Sequence, residues 1–247
     1  MHSPVEQFAI KVLFALNLFG FDIQFTNSSL FMVLAVLVSS AFLYFAMAPA
    51  ATVPGRMQGL AEMLYEFVSD MVRSNVGSEG RPYFPFVFTL FVFVLFSNLL
   101  GLIPYSYTTT SQIIVTFAMA MFIFIGVTLI ALFKHGLHFF SFFVPAGAPK
   151  VLIPVLVLIE VISYFVRPVS LSVRLFANML AGHTMLKVFG GLAVMIASAG
   201  GVFVAGSILP LVAIVGLTGL EILVAVLQAY VFTILTCMYL NDALHLH

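Results

Sequence analysis

Arg174 is the residue whose chemistry fits least with its neighbours in the chain. It lies in the run PVSLSVRLFANMLAGHTM, from Pro168 to Met185, where most side chains are apolar or small. A guanidinium stays charged at every physiological pH, and placing one at the centre of a bilayer costs about 2.5 kcal/mol or more. Snorkelling from a helix end is the alternative, but a long, mainly apolar run separates Arg174 from Lys187. We therefore expect Arg174 to face protein or water.

Other polar side chains recur at helical intervals around Arg174. Asn178 follows one turn later, about 40° round the helical wheel, and His183 lies about 180° from Arg174 on a straight helix. Glu160 and Arg167 precede Arg174 at intervals of seven residues. These three share one face of a continuous helix, although a proline after Arg167 makes the alignment approximate.

Two further polar residues, Glu221 and Gln228, lie seven residues apart on one face of the last helix. Carboxylates and imidazoles exchange protons, and amides hold water between them, so these side chains suit proton passage. Purely structural interpretations of these residues stay open. Glu160 could pair with an arginine, His183 and Glu221 could share a purely structural hydrogen bond, and Gln228 could be a packing contact. For Arg167 the structural interpretation is favoured.

The composition is that of a polytopic membrane protein. Of the 247 residues, 63% are hydrophobic and only 7% are charged, whereas soluble domains carry about 25% charged residues. The net charge is zero, which gives no indication of a nucleic-acid partner, and one cysteine cannot form an internal disulfide. No phosphate-binding loop is present. His135 and His138 lack a nearby third ligand, so we expect no metal and no cofactor.

The hydropathy pattern predicts one membrane domain, residues 1–247, built from helices of three kinds. Residues 55–76 carry apolar side chains at spacings of three and four, which is typical of an amphipathic surface helix. The last two apolar segments exceed the roughly 20 residues of an upright crossing, which favours a tilted hairpin. The predicted elements are a peripheral helix over 5–19, spans over 30–48, 83–103 and 113–133, the surface helix over 55–76, and long helices over 151–188 and 208–240.

Two features of the long hairpin are less regular. Residues 151–188 contain internal prolines, so they could form two short membrane segments or one kinked helix. Residues 190–206 are rich in glycine and alanine, and we interpret them as the turn of the hairpin, flanked by small-residue helix packing.

Two runs carry a family resemblance: RLFANMLAGH, and GLEILVAVLQAYVFTILTCMYL in the last helix. Together they resemble subunit a of F-type proton-translocating ATP synthases, and the resemblance extends over essentially the whole chain. It implies a role for six of the polar residues above. Arg174 would be the essential arginine that faces the ring carboxylates, Asn178 the polar residue one turn later, His183 and Glu221 the paired His and Glu, Gln228 the glutamine facing the arginine, and Glu160 the acid of the opposite half-channel.

The resemblance implies an all-α polytopic membrane protein, with upright helices, an amphipathic surface helix and a tilted C-terminal hairpin packed against a c-ring. The chain would be a non-catalytic, stationary proton-channel subunit, with two half-channels that load and unload a rotating c-ring. Its partners would be the c-ring, peripheral-stalk b-type subunits, other synthase subunits and membrane lipid. It would lie in a bacterial inner membrane or the mitochondrial inner membrane. The rival functions are a self-contained proton-coupled secondary transporter, with Arg174 binding an anion, and a structural membrane anchor.

The distribution of basic residues predicts the topology. Residues 49–82 and 134–150 carry five basic residues, whereas residues 104–112 and 190–206 carry none and the N-terminal arm carries only Lys11. The positive-inside rule therefore places the N-terminus outside and the basic loops in the cytoplasm or matrix. An odd number of crossings then places the C-terminus inside.

Cysteine labelling in intact cells checks this topology. A cysteine at Ser78 or at Gly147 should stay unlabelled by an impermeant thiol reagent applied from outside, because both loops face the cytoplasm. A cysteine at Ser3, in the N-terminal arm, is the positive control. Labelling of Ser78→Cys or Gly147→Cys from outside would invert the assignment.

Overall fold

The structure is a computed structural model that describes residues 10–18, 21–48, 51–103, 106–143, 152–200 and 203–245. Most of these residues are helical. Two short strands precede the helices. The elements are β1 (Val12–Leu18), β2 (Phe21–Thr26), α1 (Asn27–Met47), α2 (Arg56–Val76), α3 (Phe84–Gly101), α4 (Ile113–His135), α5 (Ile153–Ser198), α6 (Phe203–Gly206) and α7 (Ile208–Leu244), with 3₁₀ segments at Ser78–Tyr83, Thr109–Ser111 and Gly136–Phe143.

Five helical segments of the described chain are long and apolar enough to cross a membrane. They contain α1, α3, α4, α5 and α7. The predicted class, an all-α polytopic membrane protein, is confirmed, with one small hairpin as its exception. In lipid each span must satisfy its own backbone hydrogen bonds, and a helix does so within one segment.

The predicted peripheral helix over 5–19 is wrong for Val12–Leu18, which form β1; residues 1–9 and 19 lie outside the described chain. β1 pairs antiparallel with β2, with Leu18 opposite Phe21. The missed signal is the run FDIQFT, where apolar and polar residues alternate strictly from Phe21 to Thr26. A period of two is typical of a strand.

Local chemistry explains where α1 and α4 begin and end. α1 begins at Asn27, three residues before the predicted span, because the Thr26 hydroxyl accepts a hydrogen bond from the Ser29 amide at 3.4 Å and caps the first turn. α4 ends with Lys134 and His135 in its last turn, where basic residues favour the helix dipole. Gly136 follows with a φ of 56°, a conformation that glycine adopts without strain.

α5 is a single helix of 46 residues, Ile153–Ser198, and it continues through Pro168. Of the two alternatives left open, the structure therefore contains the long helix. The predicted turn over 190–206 starts too early, because Gly190 and Gly191 lie inside α5. A glycine costs a helix about 1 kcal/mol, but leaving backbone groups unpaired in lipid costs several. The chain turns at Gly200, which has a φ of 74°.

α2 occupies almost the predicted range of the amphipathic helix. It buries Ala61, Val68 and Val72, whereas Met57 and Leu60 of the apolar side are exposed. These exposed side chains are available to lipid or a partner, as expected for a surface helix.

The chain forms two compact units. Unit 1 contains residues 1–42, 92–112 and 175–229. Its interior includes the fully buried Leu175 and Met179, and the Phe42 and Phe96 rings lie 5.6 Å apart.

Unit 2 contains residues 43–91, 113–174 and 230–247. Val68, Val87 and Phe232 are fully buried there. A cluster of aromatic rings includes Phe124 and Tyr164, with centroids 4.8 Å apart, and the Tyr164 hydroxyl lies 2.7 Å from that of Thr128.

An ion pair joins α5 to the end of α7 within unit 2. Arg167 Nη1 donates to Asp242 Oδ2 at 2.8 Å, and the guanidinium lies 5.5 Å from the Tyr164 ring centroid and 5.1 Å from that of Tyr239. The favoured structural interpretation of Arg167 fits these contacts. A charge held between two rings and a carboxylate loses little of its stabilisation when it leaves water.

Asp242→Asn tests how much this ion pair contributes to the stability of the fold. It should lower the free energy of unfolding by about 1–2 kcal/mol, because the half-buried guanidinium of Arg167 loses its counter-ion. The double variant Arg167→Gln/Asp242→Asn should recover part of that loss. Thermal unfolding of the purified chain in detergent measures both, with Arg56→Gln, an exposed arginine, as control. If Asp242→Asn costs no more than Arg56→Gln, the pair does not stabilise the fold.

Candidate functional site

α5 and α7 bring His183 and Glu221 together in unit 1. His183 Nδ1 lies 3.7 Å from Glu221 Oε1, which is ion-pair distance and somewhat longer than a hydrogen bond. One and a half turns earlier on α5, Asn178 Nδ2 donates to Gln228 Oε1 at 2.8 Å. Because the partner number rises as the α5 number falls, the two helices run antiparallel here. Four of the six predicted site residues thus form two contacts between one pair of helices.

The Glu221 carboxyl is buried and closely packed. Its residue is only 5% exposed, and neither carboxyl oxygen has a hydrogen-bond partner among the described residues. A Cβ added to Gly182 would lie 3.0 Å from Glu221 Cδ and closer still to Oε1. Gly182 therefore leaves the space that this carboxyl fills. A buried carboxylate is costly unless paired, and the neighbouring imidazole is a group that can both pair with it and exchange its proton.

The loop before α4 supplies another contact of the His183 ring. Thr108 Oγ1 lies 3.0 Å from His183 Nε2 and donates to the Gly101 carbonyl at 3.2 Å. Thr108, Thr109, Thr110 and Ser111 are all buried. Sequence reasoning missed Thr108, because the run YSYTTTS offers several hydroxyls and no pattern shows which one reaches an imidazole.

A buried amide of α3 lies against α7. Asn98 is fully buried and its Nδ2 donates to the Ala225 carbonyl at 3.1 Å. Gln228, three residues after Ala225, is 4% exposed. Gln228 and the contact from Asn98 thus lie on the side of α7 that carries Glu221, while the exposed side of the helix is apolar.

Arg174 lies in unit 2 and is exposed on the surface of α5. Val173 beside it is 42% exposed, and Ala177, about one turn later, is exposed as well, so the charge lies among apolar side chains on this surface. Within the described residues Arg174 makes no ion pair. Glu160, half-buried on the same helix, also forms no ion pair with a described arginine, and Arg167 pairs with Asp242 instead.

Asp242 is the acid that sequence reasoning passed over. A signal for it exists: Asp242 lies fourteen residues after Gln228 and twenty-one after Glu221, so the heptad spacing continues along α7. The spacing of Glu160, Arg167 and Arg174 on α5 is the same. Each helix thus carries polar groups at multiples of about two turns, with Leu235 at the intermediate position of α7.

The arrangement offers two kinds of chemistry. Unit 1 contains a buried carboxyl and a half-buried imidazole at ion-pair distance, with a hydroxyl on the far side of the ring. Unit 2 contains an exposed cation on an apolar surface. In the described ranges no three His, Cys, Asp or Glu side chains gather as metal ligands.

Comparisons with a family profile and with individual proteins point to the same family. A sequence profile described as ATP synthase A chain matches residues 29–241. The chain is 56% identical to ATP synthase subunit a of Rhodospirillum rubrum over 247 residues, which is 100% of both chains. It is 53% identical to ATP synthase subunit a of Rhizobium rhizogenes over 244 residues, covering 99% of this chain and 98% of the relative. For Parvibaculum lavamentivorans the identity is 54% over 243 residues, with 98% and 94% covered.

These relatives are alphaproteobacterial. The profile covers every predicted site residue from Glu160 to Gln228. With a match of this extent and identity across the full length, the chain belongs to the ATP synthase subunit a family, the proton-translocating subunit of the membrane sector.

Proposed function

We propose that this chain is the stationary wall of a two-part proton path, and that Arg174 separates its two halves. Protons enter one half-channel, pass to a carboxylate on a rotating c-ring, and leave through the other half-channel after the ring has turned. A proton that crosses 100 mV releases about 2.3 kcal/mol, which the ring converts into rotation. The chain is non-catalytic in this scheme, because it holds the path and the partner complex carries the nucleotide chemistry.

The observation that carries the proposal is the exposure of Arg174 on an apolar surface. A guanidinium cannot lose its charge, and an arginine in a membrane span faces a partner or water because lipid solvates it poorly. Described residues of the chain itself supply no carboxylate to it. A carboxylate on a second subunit would be a suitable counter-ion, and the planar fork of the guanidinium can bind it with two hydrogen bonds.

Arg174 would act in two ways on a passing ring. Its charge would favour the ionised form of the ring carboxylate opposite it, so that a protonated carboxyl must release its proton before it passes. The same fixed charge would repel a hydronium ion and so prevent direct leakage between the half-channels. Each effect requires the charge to project outward from α5, as its exposure indicates.

His183 and Glu221 would form the relay of the inlet half-channel. The distance of 3.7 Å between Nδ1 and Oε1 permits a proton transfer after a small closure of the gap. Asn178 and Gln228 would extend this polar path along the helix pair through their hydrogen bond. Glu160, half-buried on the earlier part of α5, would serve the outlet half-channel.

The surroundings of the chain follow from the same proposal. The c-ring would lie against the exposed apolar side of the long helices, and peripheral-stalk b-type subunits would hold the chain still against the torque. The exposed side of α2, with Met57 and Leu60, is available for lipid or such a partner. The membrane would be the bacterial inner membrane, with the N-terminus outside and the C-terminus cytoplasmic.

Arg174→Ala tests the central residue. It should abolish ATP-driven proton pumping and open a passive leak, because no charge then separates the half-channels. Arg174→Lys should also fail, because a lysine loses the planar fork and neutralises more readily on desolvation. Proton flux in vesicles that carry the assembled synthase, with and without nucleotide, measures both.

Arg167→Lys is the matched control, because it changes an arginine of the same helix that already has Asp242 as its partner. This variant should pump at close to the normal rate. Normal coupled pumping by Arg174→Ala would overturn the proposal, and pumping by the reconstituted chain without a c-ring would favour a self-contained transporter.

Gly182→Ala tests the packing of the relay. The added methyl group would collide with the Glu221 carboxyl, so we expect proton pumping to fall by about tenfold, which corresponds to about 1.4 kcal/mol in the barrier. Passive leakage should not rise, because Arg174 is retained. Gly126→Ala, where an added Cβ meets nothing within 4 Å, is the control. Equal rates for the two variants would show that the position of Glu221 does not limit transport.

A further inference from the structure

We propose that Thr108 is a positioning residue for His183, and that it selects the imidazole tautomer whose unprotonated Nδ1 faces Glu221. This inference rests on the proposed function, because it assumes that His183 and Glu221 exchange a proton. It adds a residue from a different part of the chain and states which ring nitrogen carries the transferred proton.

The tautomer follows from the hydrogen bonds of the Thr108 hydroxyl. A hydroxyl has one proton to donate, and a carbonyl oxygen can only accept. Thr108 Oγ1 lies within hydrogen-bond distance of two groups, the Gly101 carbonyl at 3.2 Å and His183 Nε2 at 3.0 Å. Both contacts are hydrogen bonds at once only when the hydroxyl donates to the carbonyl and accepts from an Nε2–H. A neutral His183 assigned from this network therefore carries its proton on Nε2 and a lone pair on Nδ1.

This tautomer is the one that can receive a proton from Glu221. Nδ1 lies 3.7 Å from Glu221 Oε1. When the gap closes, the O–H bond of a protonated Glu221 breaks and an Nδ1–H bond forms from the nitrogen lone pair. A carboxylate and an imidazolium result, and the reverse step restores the neutral pair. Nε2–H stays bonded to Thr108 in both states, so the ring keeps its orientation while Nδ1 gains and loses the proton.

The opposite tautomer would not serve this exchange. With the proton on Nδ1, the ring would present an N–H to Glu221 and would have no lone pair there to accept a proton. It would also require Thr108 to donate to Nε2 and leave the Gly101 carbonyl. Thr108 thus has the role that a partner on the far nitrogen commonly has in histidine chemistry, which is to set what the near nitrogen can do.

Thr108 is held firmly enough to act in this way. It is 4% exposed, and the Ser111 hydroxyl donates to its carbonyl at 2.6 Å. A Cβ added to Gly101 would lie 2.6 Å from Thr108 Cγ2 and 2.8 Å from Oγ1. The absence of a side chain at Gly101 therefore lets the threonine pack directly against α3, where its hydroxyl reaches both the carbonyl and the imidazole.

Thr108→Val tests the inference, because valine keeps the shape of threonine and removes the hydroxyl. ATP-driven proton pumping by vesicles with the assembled synthase should fall about tenfold, the equivalent of one hydrogen bond lost from the reacting arrangement. Thr108→Ser should restore at least half of the rate, because it returns the hydroxyl. The matched control is Thr110→Val, at a buried threonine whose hydroxyl has no hydrogen-bond partner among the described residues; its rate should be unchanged.

A cycle with His183→Ala separates this inference from the function on which it rests. His183→Ala should slow pumping, and Thr108→Val should cause no further loss in that background, because the ring it positions is gone. If His183→Ala pumps normally, the proposed relay is wrong. If His183→Ala is slow but Thr108→Val equals Thr110→Val, only the inference about Thr108 is wrong.

Two further results would also overturn the positioning role. One is an equal loss from Thr108→Val in the presence and absence of His183, and the other is failure of Thr108→Ser to restore the rate, since either indicates a packing effect. If Thr108→Val does not co-purify with the synthase, Thr108→Ala replaces it, with the same expected loss and the same criteria.

Discussion

The cost of placing charge in an apolar environment governs the arrangement of this chain. Only 7% of its residues are charged, and a charged side chain within a bilayer needs a partner or water. Arg167 has a carboxylate at 2.8 Å and two aromatic rings. Glu221 has an imidazole at 3.7 Å and a glycine that leaves room for it. Arg174 remains exposed on the helix surface without an ion pair in the described chain.

These different environments separate residues that look alike. Arg167 and Arg174 are seven residues apart on one helix, and both lie in apolar runs. Arg167 is half-buried, and a carboxylate of the same chain neutralises its charge. Arg174 needs a counter-ion from another subunit or from solvent. A residue that the fold itself does not satisfy is the better candidate for interaction with a second subunit, because its desolvation must be compensated there. This contrast is the physical reason for assigning function to Arg174 and structure to Arg167.

In unit 1, polar side chains likewise contact one another. The side chains of Asn178, His183, Glu221 and Gln228 form two contacts between one antiparallel pair of helices, and the two α7 members, Glu221 and Gln228, are buried. Glycine and threonine complete this arrangement, since Gly182 admits the carboxyl and Thr108 occupies the far nitrogen of the ring. Small and hydroxyl-bearing residues are well suited to this work, because they allow close approach and add hydrogen bonds without charge.

Much of the fold follows from local pattern. Spans such as α1 and α4 are visible in the sequence because about 20 apolar residues are required to cross a bilayer, and α2 is visible through its helical spacing. The errors have local causes as well. The alternation in FDIQFT was missed, and Gly190 and Gly191 were assigned to a turn although membrane helices tolerate glycine when their hydrogen bonds continue.

The sequence by itself determined the class of protein, the ranges of spans such as α3 and α4 and which side chains are costly in lipid, because hydropathy and charge act through composition and spacing. It also identified the family, through runs that contain Arg174 and Glu221. Only the tertiary structure decided which costly side chains meet. The Arg167–Asp242 pair joins positions 75 residues apart, as does the Thr108–His183 contact. Such contacts depend on how helices and loops pack in three dimensions, and no local periodicity records that packing.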